Sequence, residues 1–124
     1  MKILVADDNE DAQVVLATLL KELGHETMLA PNGVVALETM SKCLPDMVIT
    51  DILMPEMDGF ELCRQIQANP QLNSTSVIIY TGSYVSQVDQ ELGLSLGAIK
   101  YITKPQEPSV LIELIEKVLQ DCKK

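Results

Sequence analysis

The chain has 124 residues, 47% of them hydrophobic, with no Trp, one Phe and three Tyr. That length suits one domain, and its core must be aliphatic, large enough to need neither disulfide nor metal staples. A net charge of −9 and a pI near 4.4 argue against a free-standing nucleic-acid binder, which needs cations to neutralise phosphates.

Short apolar runs alternate with helical patterns along the whole chain. Ile3 to Ala6 reads as a first strand. From about Asn9 to Leu23 an amphipathic helix follows, with Val15, Leu16, Leu19, Leu20 and Leu23 as its expected inner stripe and Gly24 as its C-terminal stop. His25 to Ala30 is a weaker strand. Asn32 can cap a second helix carrying Val35, Ala36 and Met40, and Pro45 punctuates it. Met47 to Thr50 is the third strand. Asp58 can cap a third helix with Phe60, Cys63 and Ile66, stopped by Asn69-Pro70.

Val77 to Thr81 is the fourth strand. Val85, Val88, Leu92 and Leu96 then form a helical stripe, weakened by Gly93 inside it. Ala98 to Thr103 is the fifth strand. A last helix starts near Pro108, with Val110, Leu111, Leu114, Ile115, Val118 and Leu119 facing inward. Five strand–helix pairs in succession predict an α/β fold with a parallel sheet covered on both faces. Strands 1, 3 and 4 read as continuous apolar runs, the pattern of strands buried on both sides. The expected unit is a single domain spanning residues 1–124, with no output domain.

Cys43, Cys63 and Cys122 are odd in number and fit no zinc spacing, so Cys43 and Cys63 read as small or half-buried apolar residues and Cys122 as exposed. This usage suggests a reducing compartment. No signal-peptide profile opens the chain and no run approaches the roughly 20 apolar residues of a membrane span, so the expected location is cytoplasmic. His25 reads as structural or exposed, the Met residues as core and loop packing, and Glu10 and Asp11 as a solvated helix start.

In such sheets, ligands bind at the carboxyl ends of the strands, beside the point where strand order reverses. Asp7-Asp8 follow strand 1, Asp51 follows strand 3, Thr81 ends strand 4, and Lys104-Pro105 follow strand 5. Singly, each has a bland explanation: acids near a helix start, a turn-forming Asp, an ordinary strand end, a loop Lys-Pro. Their joint occurrence at successive strand ends is what points to chemistry. With strand order 2-1-3-4-5, the three carboxylates converge, and three such like charges cannot all stay ionised unaided. A hard divalent cation resolves this, and Mg²⁺ commonly shares its shell with a phosphate. A carboxylate could then attack phosphorus, with Lys104 and Thr81 facing phosphoryl oxygens.

The stretches Val5-Ala6-Asp7-Asp8-Asn9, Thr50 to Gly59 (TDILMPEMDG), Tyr80-Thr81-Gly82, and Gly97-Ala98 running to Tyr101-Ile102-Thr103-Lys104-Pro105 resemble the receiver domain of bacterial response regulators, in order and over essentially the whole chain. The resemblance implies a (βα)5 doubly wound, flavodoxin-like fold with a five-stranded parallel sheet in order 2-1-3-4-5. It implies Asp51 as phosphoacceptor, with Thr81 and Lys104 contacting the phosphoryl group. Mg²⁺, for which Mn²⁺ can substitute, would be held by Asp8, by Asp51, by the backbone carbonyl of Leu53, and by Asp7 mostly through water. Thr81 and Tyr101 would form the switch, repacking helix 4, strand 5 and helix 5, and Gly93 would make helix 4 easier to adjust. The Lys104-Pro105 bond would be cis. Implied partners are a sensor histidine kinase or histidine phosphotransfer protein and a downstream protein target, with no direct nucleic-acid binding and no membrane insertion.

The sequence also departs from the family. Leu53 and Ser83 stand at two positions that tune dephosphorylation, and a Leu cannot orient an attacking water. Ile99 and Lys100 replace residues that are often acidic. A phosphohydrolase would need a second carboxylate where Leu53 stands, and a flavin carrier would need a Gly/Ser/Thr cradle where Asp7 to Asp11 stand. Neither is an attractive reading. The chain is therefore expected to be a phosphoacceptor rather than an enzyme, the alternative being a non-phosphorylated pseudo-receiver that acts as a protein-binding module.

Overall fold

The computed structural model describes residues 1–122; the Cys122 side chain, expected at the surface, lies outside what it describes. Five strands and five helices alternate: β1 (Lys2–Ala6), α1 (Glu10–Glu22), β2 (Glu26–Ala30), α2 (Gly33–Lys42), β3 (Met47–Thr50), α3 (Gly59–Ala68), β4 (Ser76–Thr81), α4 (Gln87–Ser95), β5 (Lys100–Thr103) and α5 (Pro108–Cys122). All strand pairs are parallel, in the order β2-β1-β3-β4-β5. No described helix is long and apolar enough to cross a membrane.

Alternation along the strands divides the core in two, because successive side chains leave a strand on opposite faces. Leu4, Val48, Val77 and Ile79 meet Ala36 and Met40 of α2 and Leu62, Cys63 and Ile66 of α3. Ile3, Val5, Ile49 and Ile78 meet Leu16 and Leu20 of α1 and Leu111, Ile115 and Leu119 of α5. Every residue of β3 is buried, as a central strand with two covered faces requires. Each fully buried Ile or Leu contributes about 1.5–3 kcal/mol of transfer free energy.

Side-chain oxygens cap the helix starts. Asn9, Asn32, Asp58 and Ser86 accept the backbone N–H of Ala12, Val35, Glu61 and Asp89 at 3.0, 2.9, 2.8 and 3.1 Å. Each cap is worth about 1 kcal/mol. Gly24, at φ 92°, takes the left-handed turn that ends α1. His25 is tied down, its Nε2 3.0 Å from Glu116 of α5 and its Nδ1 3.3 Å from the Met1 ammonium. Cys43 is half-buried and Cys63 buried.

Three expected inner stripes need correction. In α1 the buried positions are Gln13, Leu16, Ala17 and Leu20, while Val15 and Leu23 are exposed. Gln13 earns its place by donating from Nε2 to the Ala30 carbonyl at 2.7 Å. In α5, Val110 is exposed. In α4, Val85 precedes the helix, Val88 and Leu92 face solvent, and Gly93 is the buried residue. A Cβ on Gly93 would lie 2.8 Å from Ile79 Cδ1 and from the Tyr101 ring, so the missing side chain is what lets α4 sit against β4 and β5. Strand 5 also starts later than expected, at Lys100.

Gly59 opens α3 against the chain segment that follows β3. A Cβ there would stand 2.2 Å from the Asp51 carbonyl oxygen, a backbone atom that cannot move aside. Gly59→Ala is expected to destabilise the fold by about 2 kcal/mol or more, read as a lower urea midpoint, whereas Val88→Ser on the exposed side of α4 should stay within about 0.5 kcal/mol of wild type.

Candidate functional site

The sheet register brings the polar residues together. Ala6 pairs with Thr50, so the next residues, Asp7 and Asp51, leave β1 and β3 side by side. Thr81 pairs with Thr103, so Lys104 emerges one residue beyond, at the same edge. Backbone bonds fix this rim: Asp51 N–H donates to the Ala6 carbonyl at 2.9 Å, and Lys104 N–H donates to the Thr81 carbonyl at 2.9 Å. The Lys104–Pro105 peptide bond is cis.

One carboxylate oxygen from each of Asp7, Asp8 and Asp51 lies within 4.8 Å of the other two. The three are not equivalent. Asp7 is buried and both its oxygens are engaged: Oδ1 accepts the Asn9 N–H at 3.0 Å and Oδ2 accepts from Lys104 Nζ at 3.0 Å. Asp51 is mostly buried, with Oδ1 accepting the Ile52 N–H at 2.7 Å and Oδ2 accepting from Lys104 Nζ at 3.3 Å. Asp8 is exposed. The donor set is all carboxylate, with no Cys or His, which suits a hard divalent cation.

Lys104 is thus shared by two carboxylates. Burial disfavours its charge, but the hydrogen bond it donates to Asp7 and the charges of Asp51 and Asp7 outweigh it and hold its pKa above the ordinary lysine value. Thr81 is fully buried, its hydroxyl oxygen accepting the Ser83 N–H at 3.3 Å. Leu53 is 57% exposed at the mouth of the site.

Beyond these residues, three aromatic residues that the sequence alone did not mark out as a group are linked in a chain, Phe60 to Tyr84 through their rings and Tyr101 to the Tyr84 backbone. Phe60 and Tyr84 meet edge to face, with centroids 5.8 Å apart at 76°. The Tyr101 hydroxyl donates to the Tyr84 carbonyl, tying β5 to the loop before α4. Burial first, then the charges of Asp89 and Asp51, push the Tyr101 hydroxyl up to about 12. The Ser86-Gln87-Val88-Asp89 cap was legible in principle, since an acid three residues after a Ser marks a helix start. Tyr84 carried no such signal.

A sequence profile of the response regulator receiver domain matches residues 3–116. The chain belongs to this family. Receivers are signalling modules of two-component systems. An uncharacterized 14.6 kDa protein of Leptolyngbya boryana is 36% identical over 117 residues, covering 94% of this chain and 88% of the relative. The sensory transduction protein RegX3 of Mycobacterium tuberculosis is 35% identical over 118 residues, covering 95% of this chain and 50% of the relative. A probable transcriptional regulator of Galdieria sulphuraria, ycf27, is 35% identical over 96% of this chain and 45% of its own length. The receiver therefore spans about half of these two longer relatives. Among solved structures, the signal receiver domain of a histidine kinase from Syntrophus aciditrophicus superposes with a TM-score of 0.89 at 35% identity, covering 99% and 92% of the two chains. A CheY-like receiver from Methanospirillum hungatei gives 0.90 at 27% identity, covering 98% and 95%.

Burial also pushes the Cys63 thiol of this receiver up to about 12, with the Asp58 charge adding to the effect. In an unfolded chain, Cys, Tyr and Lys release their protons near about 8.5, 10 and 10.4. Cys63, Tyr101 and Lys104 all hold theirs longer when folded. Above about pH 8.5 the folded state therefore binds more protons than the unfolded state, and stability falls as pH rises. The urea midpoint is expected to be lower at about pH 10 than at about pH 8, with a shallower decline in Cys63→Val; equal midpoints would contradict this.

Proposed function

We propose that this receiver accepts a phosphoryl group on Asp51 from the phosphohistidine of a sensor kinase or phosphotransfer protein. The observation that supports it most is the shared Lys104 ammonium, 3.0 Å from Asp7 and 3.3 Å from Asp51 at the rim where three carboxylates meet. Asp7, with both oxygens engaged, orients Lys104 and would reach a bound metal only through water. Asp8, exposed, would be the direct carboxylate ligand, with Asp51 and the Leu53 backbone carbonyl. Bound there, Mg²⁺, or Mn²⁺ in its stead, would supply charge neutralisation for the incoming phosphoryl oxygens.

The step itself is simple. An Asp51 carboxylate oxygen attacks phosphorus, the P–N bond to the donor imidazole breaks, and its electron pair returns to the ring nitrogen. A new P–O bond leaves an acyl phosphate on Asp51. Lys104 then moves its hydrogen bond from the Asp51 carboxylate to a phosphoryl oxygen, and the Thr81 hydroxyl donates to another. In doing so, Thr81 draws the β4–α4 loop inward, since its oxygen also accepts the Ser83 N–H of that loop. Tyr101 is fastened to that loop through Tyr84, so α4, β5 and α5 respond together and present the changed face to a downstream protein. Gly93 takes part by leaving room for the Tyr101 ring. This reading takes residues 1–124 as one receiver unit working without direct nucleic-acid contact.

Incubation with acetyl phosphate and Mg²⁺ is expected to add one phosphoryl mass to the wild type and none to Asp51→Asn, and chelation with EDTA should suppress it. Labelling that survives Asp51→Asn would sink the proposal by placing the phosphoryl group elsewhere, and a wild type that takes no label would leave the protein-binding module as the better reading. Because Leu53 offers no hydrogen bond to an attacking water, the acyl phosphate should be long-lived. Leu53→Asn should shorten its lifetime about 3-fold or more, roughly the worth of one oriented hydrogen bond, followed by intact mass over time.

A further inference from the structure

Tyr80 stands apart from the aromatic trio. Successive residues of β4 face opposite sides of the sheet, so Tyr80 packs with the α1/α5 core while Ile79 packs with the α2/α3 core. Its ring centroid lies 5.1 Å from Lys104 Nζ. Two of the three N–H directions of that ammonium are taken by Asp7 and Asp51. The ring is its third close neighbour. Tyr80 and Lys104 also share the wall of a cavity of about 360 Å³ between α1 and the β5–α5 loop, lined by apolar groups such as Val15, Leu19 and Leu111 together with Asn9, Asp11 and Gln106.

We propose that Tyr80 is a positioning residue for phosphoryl acceptance, holding the Lys104 ammonium at the carboxylate rim through its ring face. This inference rests on the reading of Asp51 as phosphoacceptor. A cation within about 6 Å of an aromatic centroid is attracted by the ring quadrupole, more strongly where water is partly excluded. Lysine has a flexible stem and a compact charge, so its direction is set by its neighbours. Both carboxylate neighbours change during transfer, since Asp51 becomes an acyl phosphate and Asp7 faces the newly arrived anion. The ring keeps the same charge distribution throughout, and so is the neighbour that stays constant while Lys104 moves from carboxylate to phosphoryl oxygen. Without it, the ammonium would turn toward solvent or toward the cavity, which Asp11 also lines, for part of the time.

The test uses the full chain and acetyl phosphate, a donor too small to need a docking surface. Tyr80→Leu is expected to lower the initial phosphorylation rate by about 3- to 10-fold. Tyr80→Phe, which keeps the ring, should recover wild-type behaviour to within about 2-fold. In a Lys104→Gln background, Tyr80→Leu should have no further effect. The inference is overturned if Tyr80→Leu matches wild type, if Phe is as slow as Leu, or if the Leu effect persists without Lys104, which would mark plain packing. A second measurement needs no altered chain: the Lys104 side-chain methylene protons nearest Nζ should show an upfield ring-current shift in the NMR spectrum of the wild type, and unshifted resonances would also overturn it. A wild type that takes no phosphoryl group on Asp51 would instead remove the parent reading, while the ring-current result still judges the contact.

Discussion

The arrangement of this receiver depends on one electrostatic constraint. Three carboxylates leave two adjacent strands within 4.8 Å of one another, and a single lysine from the far side of the sheet is shared between two of them. Such a cluster is costly to assemble unless its charges are answered locally, because a poorly solvated rim screens repulsion less than water does. Lys104 answers part of that charge and leaves Asp8 exposed for the rest. The parallel sheet is what makes this possible. The register of β1 with β3, and of β4 with β5, places four side chains at one edge without any long loop having to be held in shape.

The surroundings of the rim divide into rigid and yielding parts. On the α3 side, Gly59 lets the helix start press directly on the Asp51 backbone, and the Gly59 N–H donates to the Ile52 carbonyl at 2.9 Å, so the acceptor loop has little freedom. On the α4 side, only Gly93 is fully buried, and the helix shows Val88 and Leu92 to solvent. An element with so little buried apolar area is drawn from the less stable end of the fold, where shifts in position are cheapest. The Phe60–Tyr84–Tyr101 contacts lie between the two parts. They connect the segment after the acceptor to the helix best able to move.

Most of the architecture was legible in the residues, because the two-faced strands and the capping Asn9, Asn32 and Asp58 obey local rules. The strand-end residues Asp7, Asp8, Asp51, Thr81 and Lys104 were legible for the same reason: a topological rule says where to look. Helix faces were harder. Val15, Val88 and Leu92 have the spacing of a buried stripe, but burial is decided by how the helix meets the sheet. In α4 the contact is made by a residue with no side chain, which no hydrophobic pattern can reveal. The Lys104–Asp7 pair was also hidden. The resemblance implies that Lys104 contacts the phosphoryl group, and the relative depth of the two carboxylates shows that Asp7 takes the shorter bond.

The aromatic content has a practical corollary. With no Trp and only Phe60, Tyr80, Tyr84 and Tyr101 in the chain, every ring chromophore sits around one rim of the sheet. The near-ultraviolet circular dichroism and intrinsic emission of this receiver therefore carry no background from elsewhere in the molecule. Any optical change on adding a metal or a phosphoryl donor comes from these four rings alone, giving the unlabelled protein a built-in optical gauge of its own state.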